Sequence, residues 1–463
     1  INSEYTNRVT DLRNCYLVFA TYLGEDSMYS TWINESKNTF DSHATIKSEQ
    51  CYECIDCSQC SKLFFSRECT ACVNSWFLFN CRNVTDSFAF RNLRNKKICI
   101  FNDQYSKEEY DAKLAEFQRG GYTKFLELEK QFQELVAQAI VPSIVSLKCS
   151  DVTGNWNENS TNLRNSYNCK EVENGAHCFG VVQSKDVMDY TFWGKPAELG
   201  YECSSVGYQV NNVAFTIESW SGLTNIQYSI NCHGSSDLFG CIGLRNKQYC
   251  ILNKQYSKEE YEALLPKIKE HMRTMPYKDK LGRTFAYGEF FPPELSPFAY
   301  NEALAEEFVP LTKEQAIAQG YTWKEKEARS YTITRQPEDL PKHITDVSDS
   351  ITNEVIGCEH KGECPGPCTT AFRIVPNELA FYRQMGLPFP RLCPNCRHYI
   401  RVRTRNPIKL WKRGCMCDYV RHQNTAQHPQ HSDGQCPNTF DTTYAPERPE
   451  IVYCESCYQA EVA

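Results

Sequence analysis

The chain repeats itself, and that repeat confines its fold more than any other feature. The segment Leu93-Arg94-Asn95-Lys96 through Tyr105-Ser106-Lys107-Glu108-Glu109-Tyr110 returns as Leu244-Arg245-Asn246-Lys247 through Tyr256-Ser257-Lys258-Glu259-Glu260-Tyr261, an offset of 151 residues. The same offset carries Leu12-Arg13-Asn14 onto Leu163-Arg164-Asn165, so a whole unit is copied. Within the first copy a period of twelve appears. Large apolar residues share one column: Tyr16, Met28, Phe40, Tyr52, Phe64, Trp76, Phe88 and Ile100. The residue before each is mostly small or a thiol, as at Cys15, Ser27, Thr39, Cys51, Ser75, Ser87 and Cys99. Twelve residues are too few for a helical hairpin and do not fit a 3.6-residue period, but they suit short strands joined by polar turns. The pattern predicts a β-solenoid whose coils bury the large column against the coils above and below.

The second copy keeps the column at Tyr167, Phe179, Phe215, Phe239 and Ile251, departs from it at Thr191, Cys203 and Gln227, and reads as carrying an inserted loop from Gly194 to Gly200. Both copies run into a Ser-Lys-Glu-Glu capping box, at Ser106 and Ser257, followed by apolar residues at helical spacing. These helices are expected to cap the solenoid ends. Proline and aromatic residues then become frequent, with a further capping box at Thr312. The expected architecture is mixed: solenoid (1–105), capping helices (106–150), second solenoid (151–256), a helical and Pro/aromatic-rich connector (257–352) and a double zinc-ribbon domain (353–463).

Cysteine chemistry governs the last part. The chain has 26 Cys in 463 residues, with Cys-x-x-Cys steps that favour shared metal or core packing over disulfides, which points to a reducing cytoplasm. Zinc takes four tetrahedral thiolate or imidazole ligands, and a Cys-x-x-Cys turn supplies two. Cys393/Cys396 and Cys454/Cys457 are such turns. For the first, Cys358 and Cys368 are the preferred partners, with Cys364 the alternative and His360 a weaker one; for the second, Cys417 and Cys436, with Cys415 the alternative and His428 and His431 remote substitutes. Two structural Zn2+ ions follow. Each site of this kind contributes roughly 10–16 kcal/mol to folding, which a region poor in aliphatic residues needs. No His-Glu-x-x-His or comparable catalytic companion accompanies them.

The run Cys51, Cys54, Cys57, Cys60, then Cys69, Cys72 and Cys81, has ferredoxin-like spacing without the closing Cys-Pro. The twelve-residue register stacks Cys57, Cys69 and Cys81, so filling of a narrow interior explains the run; an Fe-S cluster in a redox or metal-dependent enzyme is the alternative. Net charge is -7, yet Arg397, Arg401, Arg403, Arg405, Lys409, Lys412 and Arg413 gather between the two ribbons, interleaved with aromatic residues. That patch suits phosphate and base binding, or else pairs with acidic residues of the solenoid. No apolar run is long enough to span a membrane.

Tyr105-Ser106-Lys107-Glu108-Glu109-Tyr110 with its copy, Phe298-Ala299-Tyr300-Asn301-Glu302, Glu378-Leu379-Ala380-Phe381-Tyr382-Arg383, Leu392-Cys393-Pro394-Asn395-Cys396-Arg397-His398 and Tyr444-Ala445-Pro446-Glu447-Arg448-Pro449-Glu450 resemble the large cysteine-rich zinc-ribbon proteins of candidate-phyla-radiation bacteria, over essentially the whole chain. The resemblance implies a cytoplasmic zinc-binding protein of unknown activity and, because those relatives often carry a further ribbon ahead of this point, an N-terminally shortened copy. The function expected is a non-enzymatic scaffold whose partner is a protein or a nucleic acid.

Overall fold

The computed structural model describes residues 1–101, 103–119, 121–325, 331–364, 366–421, 424, 426–428 and 431–462. It is a mixed α/β structure with a 12-stranded and an 11-stranded sheet, both largely parallel, and eight α-helices among the described residues. In the first sheet, parallel partners lie twelve residues apart, from Glu4↔Tyr16 to Phe88↔Ile100. The backbone explains this spacing. From Asn2 to Phe101 every third residue has a positive φ, without a break. Each left-handed residue turns the chain, so twelve residues close into four three-residue sides.

The residue after each left-handed position points inward. These inner residues are small and buried, as at Cys15, Val18, Ser27, Ser30, Ile33, Thr39, Ser42, Cys54 and Ser66. Their polar atoms are satisfied within the stack: Ser27 Oγ donates to the Glu25 carbonyl (2.8 Å) and accepts the Thr39 amide (3.1 Å). Ser30 repeats the pattern with Met28 and Ser42. A buried hydroxyl bonded in this way escapes the desolvation penalty that would otherwise exclude it from a core.

The large column does not fill this interior. While the interior is mostly filled by smaller side chains, Phe90 being an exception, this column lies one residue further along, on a lateral face. There Phe64 stacks on Trp76 (centroids 4.4 Å), Phe40 on Phe381 (3.9 Å) and Phe88 on Phe117 (4.4 Å). The helices Lys107–Arg119 and Gly121–Ala137 therefore run along that face instead of only across an end, with Phe125 and Phe132 against Phe65 and Phe77. What closes the edge is shorter. Asp103–Gln104 reverses and pairs antiparallel with the last rung, and Lys254–Gln255 does the same in the second sheet. The capping boxes at Ser257 and Thr312 are present, and Ser106 makes both reciprocal bonds with Glu109 (3.0 and 3.2 Å).

The second sheet winds less evenly. Partners are eleven residues apart at Ser150↔Thr161, twelve at Lys170↔Val182, thirteen from Ala197↔Val210 to Ile217↔Ile230, and twelve again at Ser236↔Gln248. Gly194 to Gly200 is not an inserted loop: it belongs to the strand Phe179–Gly207, and the wider register absorbs the extra residue. The C-terminal part, the connector and the two sheets are tied together. Ile140–Pro142 pairs in parallel with Ile451–Tyr453, and Trp32 packs on Phe308 (5.5 Å) and Phe192 (5.7 Å). No helix among the described residues is long and apolar enough to cross a membrane.

Candidate metal centres

Cys358 follows the strand Ile356–Gly357, which pairs antiparallel with Ala371–Phe372, and the loop between these strands carries Cys368. Cys393 is the N-cap of the helix Pro394–Arg403, and Cys396 sits in its first turn. The sulfurs of Cys358, Cys368, Cys393 and Cys396 lie within 4.8 Å of one another, a group that could hold a metal ion. Cys358 Sγ is 3.8 Å from Cys396 Sγ, close to the edge of roughly 3.8 Å that a tetrahedron of sulfurs 2.3 Å from zinc would have. The sulfurs also act as acceptors: the Cys393 amide donates to Cys358 Sγ and the Thr370 amide to Cys368 Sγ, both at 3.3 Å. Amides aimed at sulfur favour thiolate, the form that binds metal. Hydrogen bonds from Cys358 and Cys396 pull the Cys393 thiol far below its usual range. Cys364 stands outside this quartet, 3.7 Å from Cys396 Sγ, in a three-donor group with His360.

The second centre differs from the expected set. Cys415, not Cys417, joins Cys436, Cys454 and Cys457 within 4.8 Å. The strand Trp411–Gly414, paired with Thr439–Thr442, delivers Cys415 to the knuckle, where its sulfur accepts the Cys454 amide (3.2 Å). Cys454 caps the helix Glu455–Glu461. Burial opposes its ionisation, but hydrogen bonds from Ser456 and Asn438 hold its thiol at about 6. Cys417 is placed elsewhere, 3.3 Å from both His428 Nδ1 and His431 Nε2, in a group that also includes Cys457. The spacing of Cys415 and Cys417 gave no means of choosing between them, since both directions lead to sulfur or imidazole.

The Cys51 to Cys81 thiols have ordinary partners. Cys54, Cys57, Cys60, Cys69, Cys72 and Cys81 each donate to the carbonyl two residues earlier, at 3.2–3.5 Å. They occupy inner positions: serine holds those of Cys54, Cys60 and Cys72 in earlier coils, at Ser42 and Ser48, whereas Thr45 and Ile33 precede Cys57, Cys69 and Cys81. Among the described residues none of them falls in a group able to hold a metal ion, and no cysteine of the chain is in a disulfide.

The basic cluster divides. Arg397 and Arg401, four residues apart, share one face of the helix Pro394–Arg403, Arg405 follows two residues past its end, and all three reach into the first sheet. Arg397 pairs with Asp41 and Glu378, Arg401 with Asp41 (3.1 Å) and Glu53 (2.7 Å), and Arg405 Nε and Nη2 with Asp56 (3.0 and 3.2 Å). Arg397 and Arg401 keep only 5% and 3% of their exposure. These three are thereby removed from the expected nucleic-acid surface; their four-residue spacing was the signal that set them apart. Asp41 and Glu53 occupy successive coils, so Arg401 clamps one rung to the next. Glu378 completes the network, accepting from Tyr29 (2.9 Å) and Tyr382 (2.7 Å). Arg413 donates to the Tyr444 and Ala445 carbonyls (3.3 and 3.0 Å), while Arg403, Lys409 and Lys412 remain exposed. Arg403 lies over the Tyr399 ring and Lys409 over that of Trp411.

No family model and no curated protein matches the chain. Among solved structures, a "putative acetyltransferase" from Desulfovibrio desulfuricans G20 aligns with 61% of this chain and 76% of its own at 10% identity, with a TM-score of 0.11. A superposition that poor carries no argument about fold or activity.

Proposed function

We propose that the chain is a zinc-dependent, non-enzymatic scaffold of the cytoplasm: two duplicated β-solenoid units locked to a pair of zinc ribbons. One structural Zn2+ is held by Cys358, Cys368, Cys393 and Cys396, and another by Cys415, Cys436, Cys454 and Cys457. The observation that carries this reading is the coupling of metal group to sheet through one helix. Pro394–Arg403 begins at Cys393 and Cys396 and ends on the arginines that bind Asp41 and Glu53. Four protein donors leave no open position for substrate, which favours a structural role. The sequence resemblance to cysteine-rich zinc-ribbon proteins agrees with it.

Zinc content of the purified full chain and thermal melting with and without a strong chelator test the reading. Bound zinc together with a large loss of stability on chelation is the expected result; a metal-free protein with an unchanged melt overturns it.

For the partner, the exposed cations beside aromatic rings, Arg403 at Tyr399 and Lys409 at Trp411, favour single-stranded nucleic acid. Salt-dependent binding of a fluorescent oligonucleotide, lost in the Arg403→Glu/Lys409→Glu/Lys412→Glu variant, supports that assignment. Binding that survives the reversal removes it.

A further inference from the structure

Cys457 belongs to two groups at once, the four-cysteine set and the set formed with Cys417, His428 and His431. We propose that its thiolate bridges two divalent cations, making the C-terminal centre a dinuclear site of the zinc class. The second ion is held by Cys417 Sγ, His428 Nδ1, His431 Nε2 and Cys457 Sγ. This rests on the four-cysteine reading for its first ion and adds another.

The distances fit. Cys417 Sγ lies 3.3 Å from each imidazole nitrogen, and Cys457 Sγ is 3.6 Å from His431 Nε2. A tetrahedral zinc with Zn–S near 2.3 Å and Zn–N near 2.05 Å separates such ligand atoms by about 3.5 Å. The far side of each ring agrees. His428 Nε2 is 2.8 Å from the Glu461 carboxylate, and His431 Nδ1 is 3.4 Å from the Asp433 carbonyl. Those oxygens accept, so the proton of each neutral ring belongs there and the lone pair faces Cys417. A carboxylate on the outer nitrogen is what orients a metal-bound histidine elsewhere. The His428 side chain is fully buried.

Charge points the same way. Four buried thiolates around one divalent ion leave two negative charges. Sharing Cys457 with a second cation, with Cys417 as one further thiolate, leaves one. Asn424 Nδ2 donates to Cys417 Sγ (2.8 Å), consistent with sulfur carrying charge. Loading the second ion releases the Cys417 proton and involves no oxidation or reduction. With four protein ligands each, both ions tie together the residues that hold them instead of binding substrate.

The test uses the full chain loaded with cadmium-113 and a His428→Ala/His431→Ala variant. The expected wild-type NMR spectrum contains an unsplit resonance from the Cys358, Cys368, Cys393 and Cys396 centre and two further resonances split by mutual coupling through the shared sulfur. In the variant the splitting vanishes, the two all-sulfur resonances persist and metal content falls by one ion. Equal metal content in the two proteins, or a wild-type spectrum with no split resonance, overturns the proposal. If the variant does not fold, the wild-type splitting alone decides. Failure of the four-cysteine reading is distinguishable, because Cys415→Ser would then leave metal content unchanged.

Discussion

Arg397 and Asp41, 356 residues apart in the chain, meet as an ion pair whose side chains keep 4% and 0% of their exposure. Tyr382 and Glu378 complete the arginine's partners, and the Tyr29 ring lies beneath its guanidinium at 5.0 Å. The pair fastens the helix of the first metal group to the first sheet. Removing one member of a buried pair leaves an uncompensated charge, which costs about 3–5 kcal/mol. Asp41→Asn and Arg397→Met should each destabilise by about that amount in denaturant unfolding. The double variant should lose much less than the sum of the two, and strict additivity would show that the residues do not act as a pair.

Cys393→Ser and Cys415→Ser are each expected to lower zinc content and to lower the melting temperature, because each removes a ligand from a four-sulfur group. Cys364→Ser, outside both quartets, should leave the two four-sulfur ions in place. Native mass spectrometry reads all three outcomes on intact protein. Retention of full zinc by Cys393→Ser would contradict the assignment.

The inner thiols should tolerate a hydroxyl, as inner positions of neighbouring coils already hold Ser42, Ser48 and Thr45. Cys57→Ser, Cys69→Ser and Cys81→Ser keep a donor for the carbonyl two residues back, so each is expected to shift stability by no more than about 1 kcal/mol. Cys57→Leu overfills the same position and should cost about 1–3 kcal/mol. Anaerobically purified protein should have no visible absorbance. A brown protein bleached by these substitutions would establish a cluster instead.

Burial raises the Glu53 carboxyl to about 7, with Arg401 opposing. The folded chain therefore keeps a proton that the unfolded chain loses near 4.5. Stability from this group is full below about 4.5 and is lost as pH rises through about 7. Glu53→Gln has no such proton to lose. Denaturant midpoints should fall for the wild type relative to Glu53→Gln between those pH values, and parallel curves would refute the shift.

The twelve-residue spacing was readable because Tyr16, Met28, Phe40 and their successors are large and apolar, and the parallel ladders run with that spacing. Their placement was not readable. A core made of Ser27, Ser30, Ser42, Cys54 and Cys57 does not look like a core in sequence, since hydroxyls and thiols qualify for it only through bonds to carbonyls that the winding itself supplies. The left-handed positions were hidden as well. Asn, Asp and Gly suit them, yet Leu17, Tyr29, Trp32 and Phe65 adopt the same φ, held there by the coils on either side. Cys393, Cys396, Cys454 and Cys457 could be picked out by local spacing. Their upstream partners come from separate loops, and Cys415 and Cys417, two residues apart, enter different groups.

Asp103–Gln104 amounts to two residues, but it works as a chain terminator. Every rung of a winding backbone is a template for the next, and an uncovered final rung would accept a strand from another molecule as readily as one of its own. By doubling back onto Cys99 and Ile100, those two residues end growth at a fixed height. At this edge the stop is thus written into the chain itself, in two residues that spend their backbone hydrogen bonds on the strand just made.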